Sequence, residues 1–332
     1  MCGLLIGVVL GLYSPEVSVK LGLQLWNQVF SWEESRDAAV RAEKLGYDSL
    51  WTWEHPLACM GPPDQDTFDA YTLLTAWSQV TSNVMLGALT GANTFWNPGL
   101  LAKKVTTLDH VSGGRAICGI GAGWFELEHQ AFGIEFGTGW GDRLGWLNES
   151  AGAVRRLLDG DAVTSGDGDY YSFDGAYLRP TPIQRRLPIM IGGGGEQKTL
   201  RTVARYADMW DWAALEDLDR MRKKHAVFEQ RCEEIGREPA EIERTAHLAP
   251  VVRDSEAEAV SFFRSQIEAN RMHDGVINSP DIYLATPDRL AELMAAWTDI
   301  GVSTFILQIA APFDDETATR IATEIRPRLD AN

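Results

Sequence analysis

Two stretches of this chain place chemically able groups where buried strands end. The first is Glu54-His55, which follows the apolar run Asp48 to Trp53. A histidine beside a carboxylate at a strand end can donate, accept or shuttle a proton near neutral pH. The same pair also serves as an ordinary hydrogen-bonded loop anchor. The second is the tetraglycine Gly192-Gly193-Gly194-Gly195, between the apolar run Leu187 to Ile191 and a helix-like stretch, Glu196 to Ala207. Bare backbone opening onto a helix N-terminus lets N–H groups approach an anion that the helix dipole also favours. Lys198, Arg201 and Arg205 add positive charge beyond it. Four glycines also suit any tight corner, and the flanking strand and helix are what favour a phosphate cradle.

Two further glycine-rich exits accompany these. Gly119-Ile120-Gly121-Ala122-Gly123-Trp124 resembles a dinucleotide loop only superficially, because no acidic ribose partner is evident. It reads better as backbone room beside a planar ring. Thr90-Gly91-Ala92-Asn93 is small and polar, so a flat ligand can lie against it, as can a plain turn. Glu126, Glu128 and His129 read as one face of a short helix with no assigned role. No histidine or cysteine spacing suggests a metal site.

Composition narrows the partners. The 332 residues are 45% apolar and 23% charged, which suits a globular chain with ample core. A net charge of −17 argues against nucleic acid or an anionic membrane as partner. The four cysteines, Cys2, Cys59, Cys118 and Cys232, form no CxxC pair and fit a reducing cytoplasm. The apolar run Leu4 to Tyr13 is too short to span a membrane. The fold is expected to occupy residues 19–330, with 1–18 as an extension.

A strand-then-helix rhythm must position these groups. Strands are expected at Lys20–Trp26, Asp48–Trp53, Val84–Thr90, Arg115–Ile120, Ile189–Ile191, Asp208–Trp212, Thr245–Val252 and Thr304–Ile309. Ser31-Trp32-Glu33-Glu34 is a capping box, and Asn97-Pro98 opens a helix that closes at Gly113-Gly114. A hairpin insertion is expected between Gly160 and Arg186, turning at Gly166 to Asp169. Eight such units imply a single α/β domain, a (β/α)8 barrel, in preference to an open doubly wound sheet. The active site then lies at the C-terminal strand ends: Asn27, Glu54-His55, Leu89 to Asn93, Gly121 to Trp124 and the tetraglycine. Trp51, Trp53, Trp96 and Trp124 are expected near this mouth.

The chain resembles the luciferase-like (bacterial luciferase type) superfamily over Val19 to Leu329. The resemblance rests on Arg41 to Trp51, Asn97 to Lys103, Thr107 to Arg115, Gly119 to Trp124, Glu128 to Gly133, the tetraglycine, and Ala204 to Asp208. The likeness is closest to actinobacterial oxidoreductases that use the deazaflavin coenzyme F420. It implies a TIM barrel with a hydride-carrying ring at its mouth, a cis peptide near Leu89-Thr90 behind the ring, and the cofactor phosphate on Gly192 to Gly195. Leu89, Thr90, Asn93, Gly121, Gly123 and Trp124 are the further cofactor contacts it implies. His55 stands beside the reacting centre, with Glu54 as the second catalytic candidate. Glu54-His55 departs from the Asp-His common in the deazaflavin branch and is closer to FMN-dependent monooxygenases. Trp124 replaces a glutamate found in sugar-phosphate oxidisers. The expectation is an F420-dependent oxidoreductase acting on a small organic molecule. The alternatives are an FMN monooxygenase fed by a separate reductase and a non-catalytic flavin-binding relative. A homodimer is expected, pairing through the apolar helix Tyr71–Val80.

Overall fold

The computed structural model describes residues 19–166, 169–213 and 218–330. Residues 1–18, assigned to an extension, and Asp167 and Gly168 at the expected hairpin tip lie outside them. Ten strands form in chain order: β1 Lys20–Leu25, β2 Ser49–Thr52, β3 Met85–Ala88, β4 Gly91–Ala92, β5 Ala116–Gly121, β6 Ile189–Gly192, β7 Met209–Ala213, β8 Glu243–Val252, β9 Ile282–Ala285 and β10 Thr304–Ile309. Eight of them, β10-β1-β2-β3-β5-β6-β7-β8, pair in parallel, and β8 pairs back onto β10 to close a barrel. The two unexpected strands are accessory. β4 prolongs the path of β3 along β5, and β9 pairs with the outer half of β8, Ala249 to Val252.

Local chemistry sets the connecting helices. The Ser31 hydroxyl accepts the Glu34 N–H, and the Glu34 carboxylate accepts the Ser31 N–H at 2.7 Å, so the helix Trp32–Lys44 starts at its capping box. The helix Pro98–Ser112 is capped by Asn97 and stopped by Gly113 at φ +73°. Between β5 and β6 the excursion after the helix Trp140–Leu158 is closed by one antiparallel bridge, Val163 with Ala176. Gly160 to Arg186 is therefore a bridged hairpin-like loop without a longer ladder.

The barrel interior is plugged by Trp51, fully buried in β2. Its indole needs the missing side chains of Gly22 on β1 and Gly87 on β3, where an added Cβ would strike the ring. Trp51 therefore fills the interior and does not reach the mouth. In the helix Ala70–Ser78, Leu73, Leu74 and Trp77 are all buried, and Trp77 Nε1 donates to Ser35 Oγ at 2.9 Å. Leu73, Leu74 and Trp77 of the expected pairing helix are thus covered inside the chain, while Ala76 and Val80 are half-buried. Among the described residues no helix is long and apolar enough to cross a membrane.

Candidate active site

A cavity of about 730 Å³ opens at the C-terminal ends of the barrel strands. The Leu89–Thr90 peptide that forms part of its wall is cis, at the position the resemblance implied. The Thr90 side chain crosses to the neighbouring strands. A Cβ on Gly121 would lie 2.6 Å from Thr90 Oγ1, and one on Gly192 would lie 2.8 Å from Thr90 Cγ2. The room made by these two glycines is thus occupied by the Thr90 side chain. Gly123, at φ +78°, and the exposed Trp124 continue the wall. Trp26 and Trp53, with ring centroids 4.6 Å apart, form an aromatic face on another side.

The tetraglycine forms the opposite edge. Its carbonyls are drawn outward. Trp210 Nε1 donates to Gly193 O at 2.9 Å, Lys224 Nζ to Gly194 O at 2.8 Å, and the Leu200 N–H to Gly195 O at 3.0 Å. The Gly193 N–H donates to Asp211 O, while those of Gly194 and Gly195 have no partner among the described residues. Gly193 has φ +120°, and a Cβ on Gly194 would meet the Trp212 ring at 2.5 Å. Bare backbone ahead of the helix Thr199–Tyr206 is what an anionic phosphate needs. The expected cations turn elsewhere: Lys198 to Gly141 O, Arg205 to Asn148 Oδ1, and Arg201 toward Glu234, and none of the three lines the cavity.

His55 faces the cavity just past β2. Asn27, at the end of β1, fixes this turn by donating from Nδ2 to His55 O at 3.1 Å and to Phe68 O at 2.7 Å. His55 Nδ1 lies 2.9 and 3.0 Å from the two Glu128 carboxylate oxygens. Glu128 sits on the helix Glu126–Phe132 and is 1% exposed. Burial opposes a charge on His55. The Cys59 thiol beside the ring and the Glu128 carboxylate outweigh that and push its pKa up to about 10. The ring is therefore an imidazolium at neutral pH, with Nδ1 tied to Glu128 and Cys59 also against the ring.

Glu54 points behind the wall. Its Oε1 accepts Trp96 Nε1 at 2.6 Å, and a Cβ on Gly91 would sit 2.5 Å from its Oε2. Burial raises its pKa to about 7, against the lowering effect of the Trp96 donor. Asn93 is also buried outside the cavity lining, and neither atom of its side-chain amide has a partner among the described residues. Trp96 lies away from the cavity as the Glu54 donor, so Trp53 and Trp124 alone of the four expected tryptophans reach the mouth. Leu89, Thr90, Gly121, Gly123, Trp124, His55 and all four tetraglycine residues meet in one cavity.

The sequence profile of the luciferase-like monooxygenases matches residues 12–312. The chain belongs to the luciferase-like family. An uncharacterized protein of Mycobacterium tuberculosis is 33% identical over 43% of this luciferase-like chain and 49% of its own length, so the match spans about half of that relative. An F420-dependent glucose-6-phosphate dehydrogenase of Kineococcus radiotolerans is 25% identical over 94% of the chain and 97% of its own length. An FMNH2-dependent dimethylsulfone monooxygenase of Pseudomonas putida is 26% identical over 87% and 86%. Among solved structures, an F420-dependent secondary alcohol dehydrogenase in complex with an F420-acetone adduct superposes with a TM-score of 0.79 at 21% identity, covering 94% of the chain and 99% of that protein.

Sequence reasoning missed Glu128 and the pair Asp211–His247. Glu128 had no assigned role because its helix lies 73 positions from His55, and only the fold brings them together. Asp211 and His247 sit in expected strands. A buried carboxylate and imidazole in two neighbouring barrel strands was the available signal.

Proposed function

We propose that this luciferase-like oxidoreductase moves hydride between coenzyme F420 and a small organic carbonyl or alcohol. The observation that carries the cofactor choice is an uncharged anion site at the tetraglycine, made of backbone with the Thr199 side chain beside it. No Lys or Arg lines the cavity among the described residues. A phosphodiester such as that of F420 carries one negative charge. The phosphomonoester of FMN carries nearly two at neutral pH, as phosphorylated side chains do, and bare backbone offsets that larger charge less completely. The two unpartnered N–H groups at Gly194 and Gly195 suit the smaller charge.

When bound, the deazaflavin supplies hydride exchange at a ring carbon. Leu89, Thr90 and the glycine exit of β5, which line the cavity, would hold the ring. His55, held by Glu128, would donate a proton to the oxygen of a bound carbonyl and take it back from the alcohol in the reverse direction. Trp26, Trp53 and Trp124 exclude water from that corner. Trp124 in place of a carboxylate, and the lack of a Lys or Arg in the lining among the described residues, speak against a sugar phosphate as substrate.

The nearly full-length similarity to an FMNH2-dependent monooxygenase and the Glu54-His55 dipeptide favour a second reading, an FMN monooxygenase supplied by a separate reductase. Titrating the apo-protein with F420 and with FMN separates the two. The proposal expects F420 to bind at least tenfold more tightly. Tighter FMN binding would transfer the assignment to the monooxygenase.

A further inference from the structure

A second carboxylate–imidazole pair faces the same cavity. Asp211 on β7 is buried. Its Oδ2 lies 2.7 Å from His247 Nδ1, and its Oδ1 accepts Thr245 Oγ1 at 2.7 Å. His247, on neighbouring β8, lines the cavity with 21% of its side chain exposed. Burial opposes its charge, but Asp211 and, more weakly, Asp281 raise its pKa. With Nδ1 given to Asp211, Nε2 remains as the ring atom open to a ligand.

The barrel order places this pair away from the first. From β2, which leads to His55, the path β3, β5, β6, β7 is four steps round an eight-stranded closed sheet, so Asp211 stands on the opposite side. Between them lies an apolar wall of Trp26, Trp53, Met60 and Ile282. The carboxylates in the lining are Glu128, Asp211 and Asp281, and no Lys or Arg joins them among the described residues. Burying an aspartate and a histidine in a barrel wall is costly unless they are used or fully paired. Here Nε2 is the unused polar atom.

We propose that Asp211–His247 is a second binding subsite, which holds the remote oxygen of an uncharged, flat, apolar substrate while His55 addresses the reacting oxygen. This rests on reading the cavity as the substrate chamber. An anionic remote group is rejected, because Asp211 and Asp281 stand beside His247. A neutral hydroxyl pairs with Nε2 without adding charge.

Three probes test it on the F420-loaded protein, followed by quenching of tryptophan fluorescence: 4-hydroxyacetophenone, acetophenone and 4-acetylbenzoate. The hydroxyl probe should bind up to about tenfold more tightly than acetophenone, the scale of one buried hydrogen bond. The benzoate should bind more weakly than either. His247→Ala should erase the hydroxyl advantage while leaving acetophenone and F420 affinity unchanged, and His247→Gln should restore part of it. Should His247→Ala fail to fold because Asp211 is left unpaired, the double variant Asp211→Asn/His247→Ala must show the same loss. An advantage that survives in the variants, a benzoate that binds best, or no binding by any probe overturns the subsite. Loss of F420 binding by the unaltered protein would instead strike the proposed function.

Discussion

Glu128→Gln is the sharpest test of the site, because it changes one charge and almost no shape. Both Glu128 oxygens lie within 3.0 Å of His55 Nδ1 in a position 1% exposed. The glutamine amide oxygen can still accept the Nδ1–H, so the ring keeps its orientation. What disappears is the charge that helps to hold the imidazolium. A charge-assisted hydrogen bond contributes about 1.5–3 kcal/mol, which is about 1–2 pK units. The His55 pKa should therefore fall from about 10 to roughly 8–9, with Cys59 still supporting it. The assay is histidine NMR titration with 15N-labelled protein, using His55→Asn to assign the resonance. In turnover, carbonyl reduction at pH 7 should change little, while the alkaline fall in rate should move to lower pH by the same interval. Stability gives an independent sign. A His pKa raised above its unfolded value of about 6.5 contributes stability that is complete below that pH and is lost as pH rises through the folded value. The variant should lose less stability between pH 7 and 10 than the parent protein. An unmoved His55 titration would show that Glu128 does not tune the imidazole.

Further outcomes follow from the same geometry. His55→Asn should lower turnover by about 10²–10⁴-fold with F420 affinity unchanged; normal turnover would place proton transfer elsewhere. It should also lower the thermal midpoint, measured by calorimetry, because Glu128 is left buried without its partner. Gly194→Ala should weaken F420 binding at least tenfold in a folded protein, since its Cβ would displace the Trp212 ring or the loop; unchanged affinity would remove the tetraglycine from the cofactor site. Glu54 has a pKa raised to about 7 by burial, so its contribution to stability is complete below about 4.5 and is lost as pH rises through 7. Glu54→Gln should abolish that decline, on the order of 3 kcal/mol, in chemical denaturation between pH 4.5 and 8.

The barrel was legible in the chain because its signals are local. Apolar runs the length of a strand, the capping box at Ser31, the Asn97-Pro98 start and the glycine stops each act within a few residues. All eight barrel strands appear where those signals stand, and the strand-end rule gathers His55, Leu89, Thr90, Gly121, Gly123, Trp124 and the tetraglycine into one cavity. Accessory β9 escaped because Ile282–Ala285 is a four-residue, half-buried run that pairs only with the outer end of β8.

Direction and pairing were decided by the tertiary structure. Glu54 and His55 are neighbours, yet successive side chains leaving a strand point to opposite sides, so one enters the cavity and the other meets Trp96 behind it. Trp51 was expected at the mouth and fills the interior, because glycines on both adjoining strands leave space for it there. Lys198, Arg201 and Arg205 follow the tetraglycine closely, but each side chain finds a partner on the outer side of the barrel. The charges that set the two histidines, Glu128 for His55 and Asp211 for His247, lie 73 and 36 positions away in the chain. A pKa depends on what surrounds a group in space, and closure of the barrel is what brings those carboxylates to the rings.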